Sequence, residues 1–141
     1  MITATNSLGV SSADSNDAII QGSIPIISGL PFITGVVSIG RVLTANAAST
    51  SGFPTPTRAF QWQISNDGVS GWANIEGETE QTYLITLSDE FKYIRVSQTE
   101  TNVEGTDSAD SLSTIQVAEY LFNWGLSSVN AWGEVTDETW G

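Results

Sequence analysis

Phe60-Gln61-Trp62-Gln63-Ile64 alternates apolar and polar residues strictly. Such alternation turns Phe60, Trp62 and Ile64 to one face of a β-strand. Trp62 carries the largest apolar surface of the three and is the expected core anchor. The stretch runs into Ser65-Asn66-Asp67-Gly68, a turn signal, and extended chain restarts from Trp72 to Ile75. A second alternating run, Tyr93-Ile94-Arg95-Val96-Ser97-Gln98-Thr99, adds Ile94 and Val96 to the expected core.

Working outward from these two strands, turn signals recur every 8 to 12 residues and helical periodicity is almost absent. Thr82 to Thr86 reads as a strand, Ser88 to Lys92 as a turn, Asn102 to Gly105 as a turn, and Ser111 to Val117 as the closing segment. Upstream, Val42 to Ala45 is extended and 46–57 reads as a Pro-containing loop. Pro25 and Pro31 exclude a central strand from 22–35, which reads as a linker running into an edge strand. The expected fold class is all-β, a β-sandwich over 36–117.

Two terminal segments flank that body. Thr3, Thr5, Asn6, Gly9, Ser12, Ala13, Asp14 and Ser15 are identical to Thr99, Thr101, Asn102, Gly105, Ser108, Ala109, Asp110 and Ser111, at an offset of 96. That offset is the length of one sandwich domain, so 1–21 reads as an N-terminal β-hairpin resembling the end of a preceding repeat. The segment 118–141 contains Trp124-Gly125, Trp132-Gly133 and Trp140-Gly141, with successive Trp eight residues apart. On a helix that spacing would rotate each Trp by about 80° from the last. On extended chain an even spacing keeps all three on one face. The segment therefore reads as an extended Trp-Gly tail whose rings need a partner surface. Trp124, Trp132, Trp140, Tyr120 and Phe122 are its expected interface or attachment residues, since Trp is a favoured interface anchor.

Composition narrows the function classes. The 141-residue chain carries 16 acidic and 4 basic residues, a net charge of −12, which repels nucleic acid. There is no Cys and no His, so disulfides, thiolate metal sites and the commonest general base are missing. No apolar run approaches the length of a membrane span. Met1 to Asn6 lacks the pattern of a signal peptide, so synthesis is expected in a cytoplasm. The acidic residues fall in turns, with Glu76, Glu78 and Glu80 in one loop and Asp107 and Asp110 in another, which points away from paired-acid hydrolysis. Calcium would suit acidic loops, but no segment shows the Asp-x-Asp-x-Asp-Gly pattern, and no cofactor is expected. Trp72 is a rim aromatic that packs on the body or stacks on a sugar ring.

The residues Gly52-Phe53-Pro54-Thr55-Pro56, Phe60 to Ser65, Asp67-Gly68, Trp72-Ala73-Asn74-Ile75, Thr82-Tyr83, Asp89 to Val96 and the Thr99 to Ser111 hairpin give 36–117 a pattern. It resembles the bacterial and phage immunoglobulin-like domains. The inter-sheet disulfide of antibody domains is absent. The Asp89 to Tyr93 spacing looks like a tyrosine corner, although the Ile94 and Val96 alternation turns Tyr93 outward. The half-repeat and the Trp-Gly tail are similar to pieces of structural proteins of tailed phages, particularly of marine and cyanobacterial hosts. The resemblance implies a non-enzymatic virion protein, with capsid decoration ahead of a tail, baseplate or fibre role. Its partners would be other virion proteins and copies of itself, not nucleic acid or membrane. A carbohydrate-binding adhesion module that meets host-surface glycans is the alternative.

Overall fold

The computed structural model describes residues 19–118, and the chain is all-β there. Nine strands follow in order: β1 Ser23–Ser28, β2 Phe32–Thr34, β3 Val42–Asn46, β4 Ser49–Phe53, β5 Thr57–Ser65, β6 Ala73–Asn74, β7 Thr82–Leu84, β8 Tyr93–Asn102 and β9 Gly105–Asp110. One 3₁₀ turn, Leu87–Asp89, separates β7 from β8. All strand pairs are antiparallel. They form a four-stranded sheet ordered β6-β5-β8-β9, a three-stranded sheet ordered β2-β3-β7, and a β1-β4 pair.

The anchor strand pairs with β8 along its whole length, from Thr57 opposite Thr101 to Ser65 opposite Tyr93. Trp62 stands across from Val96 and Ile64 across from Ile94, so the two alternating runs present one face together. That face meets Leu43, Ala45 and Tyr83 of the three-stranded sheet, and Ile85 and Val117 complete the buried cluster. Trp62 bridges the sheets, with its ring stacked on Tyr83 at 5.5 Å between centroids. Two sheets closing over one apolar layer make a sandwich-like body. Trp62, Ile94 and Val96 are fully buried. Phe60 is half-buried against the cluster, while Ile64 is half-buried and outside it, because it lies one residue before β5 ends at the Ser65 turn.

The stretch read as a linker running into an edge strand contains β1 and β2. Pro25 sits inside β1 because β1 pairs only with β4, and the register shifts between Ser23 and Ile26. A Pro without an N–H is tolerated on such an edge. The stretch read as a loop supplies β4. Its Ser, Thr and Gly residues hide a strand whose close approach requires them: a Cβ on Gly52 would stand 3.0 Å from the Pro25 Cα, at φ +147°.

The closing segment 111–117 runs beside β8 but is not a regular strand. Ser111, Thr114 and Val117 donate backbone N–H bonds to the carbonyls of Val96, Ile94 and Lys92. At the first two of these pairs a side chain supplies the return bond, as the Ser111 Oγ accepts from Val96 N and the Thr114 Oγ1 from Ile94 N, each at 3.0 Å. The hydroxyls satisfy strand donors that a drifting register would otherwise leave without partners.

Buried polar groups tie the loops to this frame. Glu78 and Glu80 use backbone carbonyls rather than carboxylates here: Glu78 O accepts from Trp62 N at 3.0 Å, and Glu80 O from Trp62 Nε1 at 2.8 Å. The hydrogen-bonded Tyr is Tyr83, whose hydroxyl donates to Asp89 Oδ2 at 2.7 Å. Tyr93 is half-buried under the Asp67 loop, where a Cβ on Gly68 would meet its ring at 2.8 Å. Arg58 pairs through Nε with the buried carboxylate of Glu100. Gln98 Nε2 donates to the same Glu100 oxygen at 2.8 Å.

Candidate functional site

The outer face of the four-stranded sheet carries Gln63 on β5 and Arg95 on β8, directly opposite each other. Alternation puts them there, since Ile64, Ile94 and Val96 take the inner side. Arg95 Nε donates to Gln63 Oε1 at 2.7 Å, and Arg95 Nη2 meets Asp110 Oδ2 at 2.9 Å. Gln63 Nε2 in turn donates to Asn74 Oδ1 at 2.8 Å on β6. Four strands thus contribute to one polar row. The Arg95 guanidinium lies 4.5 Å above the centre of the Trp72 ring. Such stacking is favourable for a cation over an indole face.

Trp72 is half-buried at the end of this row. The rim packing expected for it takes the form of an arginine lid over one ring face. Of the acidic and amide groups in the row, Asp110 is engaged through Oδ2 and Asn74 through Oδ1. The acid that balances the Arg95 charge is Asp110. The row itself was not foreseen as a unit. Its signal was present in the outward alternation of Gln63 and Arg95, but register between distant strands had to be known first.

A loop at the same end of β5 and β6 is built on Asp67. Its Oδ1 accepts from Val69 N at 2.8 Å and Ser70 N at 2.7 Å, and its Oδ2 from Ser70 Oγ at 2.7 Å. The backbone N–H of Ser70, then that of Val69, then the hydroxyls of Ser70 and Ser65 hold the exposed carboxyl well below the usual carboxylate range. A depressed value in the fold means that the stabilisation is present above the ordinary Asp value of 3.8. It is lost as pH falls through the lower folded value. The Val69 and Ser70 amide proton shifts should therefore titrate with a midpoint well below the ordinary one. A midpoint at the ordinary value would mean that the loop does not hold this carboxylate.

The other acidic loop residues are dispersed. Asp107 Oδ2 accepts from Ile27 N at 2.7 Å and Asp110 serves Arg95, so both fasten strands. Among the described residues no three acidic side chains converge on a point that could hold a metal ion. No helix among them is long and apolar enough to cross a membrane.

An apolar groove opens on another side of the body. Leu30, Pro31, Phe32, Ile33, Gly35, Val37, Leu112 and Thr114 line a cavity of about 370 Å³. It lies where β2 faces the closing segment. The tail residues Trp124, Trp132, Trp140, Tyr120 and Phe122 lie outside the described residues, as does all but the end of the N-terminal hairpin. In comparisons with known proteins, no family model matches the chain and no curated protein matches it.

Proposed function

We propose that the chain is a non-enzymatic structural module of a tailed-phage virion, an immunoglobulin-like sandwich that decorates the capsid and is fastened through its Trp-Gly tail. The sheet order β2-β3-β7 facing β6-β5-β8-β9 supports the immunoglobulin-like part of this reading. The observation that carries the rest is where the polar chemistry goes. Asp89, Glu100 and Gln98 are buried and serve Tyr83, Arg58 and the Ala48 backbone, and Trp72 lies under Arg95. The body spends its reactive groups on holding its own strands together. Trp124, Trp132 and Trp140 remain as a regular array of anchors for a partner, whether capsid protein or another copy of the chain.

A second reading, a glycan-binding adhesion module, rests on Trp72 with Gln63, Asn74 and Asp110 at its side. It ranks lower because Arg95 covers one face on which a pyranose would stack. A tail, baseplate or fibre position shares the same anchoring logic.

Light scattering on the full-length chain separates these readings when run beside a variant with Trp124, Trp132 and Trp140 all changed to Ser. The native chain should form a defined oligomer, and the variant should be a monomer that still unfolds cooperatively. Equal masses would remove the tail from self-assembly and move attention to glycans at Trp72.

A further inference from the structure

β2 is the outer strand of its sheet, paired on one side with β3. On its other side stands the closing segment 111–117. No backbone hydrogen bond joins the two among the described residues. The space between them is the apolar groove, whose cavity of about 370 Å³ far exceeds the share of one water, about 30 Å³. Phe32, Leu30 and Leu112 border it and are 56%, 53% and 78% exposed. A strand edge beside an unfilled apolar slot is a place for one more extended segment.

We infer that this groove is the seat of the chain's own segment Tyr120-Leu121-Phe122-Asn123-Trp124, laid back against β2. The inference rests on the tail reading above and divides that tail into a part docked on its own body and a part, with Trp132 and Trp140, that meets a partner. Three observations select this occupant. Thr114 lines the groove, and the described chain ends at Ala118, just past Val117, which is bonded to Lys92. Seven residues from Val117 to Trp124 reach about 23 Å when extended, enough to return past Thr114. The sequence puts an aromatic residue at every second position, Tyr120, Phe122 and Trp124, the pattern that an extended chain turns to one side. Finally, a segment joined to the body is present at an effective concentration of about millimolar, which favours it over a separate chain.

The absence of cysteine makes a direct test clean. In the full-length chain, Leu112→Cys is combined in turn with Tyr120→Cys, Phe122→Cys, Trp124→Cys, Leu121→Cys or Asn123→Cys, and each variant is mildly oxidised. Leu112 is exposed, so its replacement leaves the core intact. At least one pairing at 120, 122 or 124 should close an intramolecular disulfide about tenfold faster than those at 121 and 123, because the bond requires Cα atoms within about 7 Å. Disulfide-linked dimers would show that a neighbour's tail takes the groove and would overturn the assignment. Uniformly slow closure at all five positions would overturn it as well. Neither outcome depends on the oligomeric mass, so failure here and failure of the assembly reading are told apart. As a second readout, changing Tyr120, Phe122 and Trp124 to Ser should raise amide exchange at Phe32 to Thr34, and unchanged exchange would count against docking.

Discussion

Trp62→Ala should destabilise the body by about 3–5 kcal/mol in urea unfolding, the range for removing a fully buried large side chain. Trp62 has no exposed surface, stacks on Tyr83 and donates Nε1 to Glu80 O. Its loss opens a cavity between the two sheets. It also leaves the Glu80 carbonyl without that donor, and the Tyr83 ring without its stacking partner. Trp62→Phe keeps much of the ring contact and should cost distinctly less. A cost below about 1 kcal/mol for Trp62→Ala would place the centre of the core elsewhere.

Asp89→Ala should cost about 3 kcal/mol, since hydrogen bonds to a charged group contribute about 1.5–3 kcal/mol and their loss strands buried donors. Asp89 is 2% exposed. Its Oδ2 accepts from Tyr83 OH at 2.7 Å, Thr86 N at 2.7 Å and Thr86 Oγ1 at 3.0 Å. One carboxylate thus fixes the 3₁₀ turn between β7 and β8 and satisfies the core tyrosine. Asp89→Asn retains an acceptor and should be milder. Tyr83→Phe leaves the carboxylate its two Thr86 donors, so a double-mutant cycle between positions 83 and 89 should return a clear coupling. Additive costs would sink the idea of a shared unit.

The pH dependence of that pair has a definite sign. Burial first, and the Asp89 carboxylate second, hold the Tyr83 phenol above its ordinary value of 10.0. A raised value in the fold means that the stabilisation is complete below pH 10.0 and is lost as pH rises towards the folded value. Tyr83→Phe should remove that alkaline loss.

How much of this was legible beforehand differs by element. β5 and β8 were readable because their inner residues are large and apolar and their outer ones polar. The same alternation continues inward through Gln98 and Glu100, both nearly inaccessible. Their polar side chains disguised a buried face, because the partners that make burial tolerable, Arg58 and Ala48, lie far away in sequence. β1 and β4 were hidden for a different reason: Pro25 and a run of small residues mimic a linker and a loop. Tyr83 and Tyr93 both stood near Asp89 in sequence. Spacing alone favours the nearer one in the resemblance, whereas the hydrogen bond to Asp89 is made by Tyr83. The Trp72–Arg95 row required cross-strand register that no local pattern encodes. The groove required knowing that β2 and 111–117 stand apart.

The hydroxyl-patched attachment of 111–117 to β8 has a mechanical consequence. Force applied through the C-terminal side of the body meets the Val117, Thr114 and Ser111 contacts one after another, in the geometry of peeling. The first of them is double, since Val117 N donates to Lys92 O and Val117 O accepts from Phe91 N. Behind them, the nine residue pairs between β5 and β8 run side by side and share whatever force arrives. A pull on that end therefore first draws Val117 out of the buried cluster it shares with Trp62, so load at the anchor is felt in the core before β5 and β8 part.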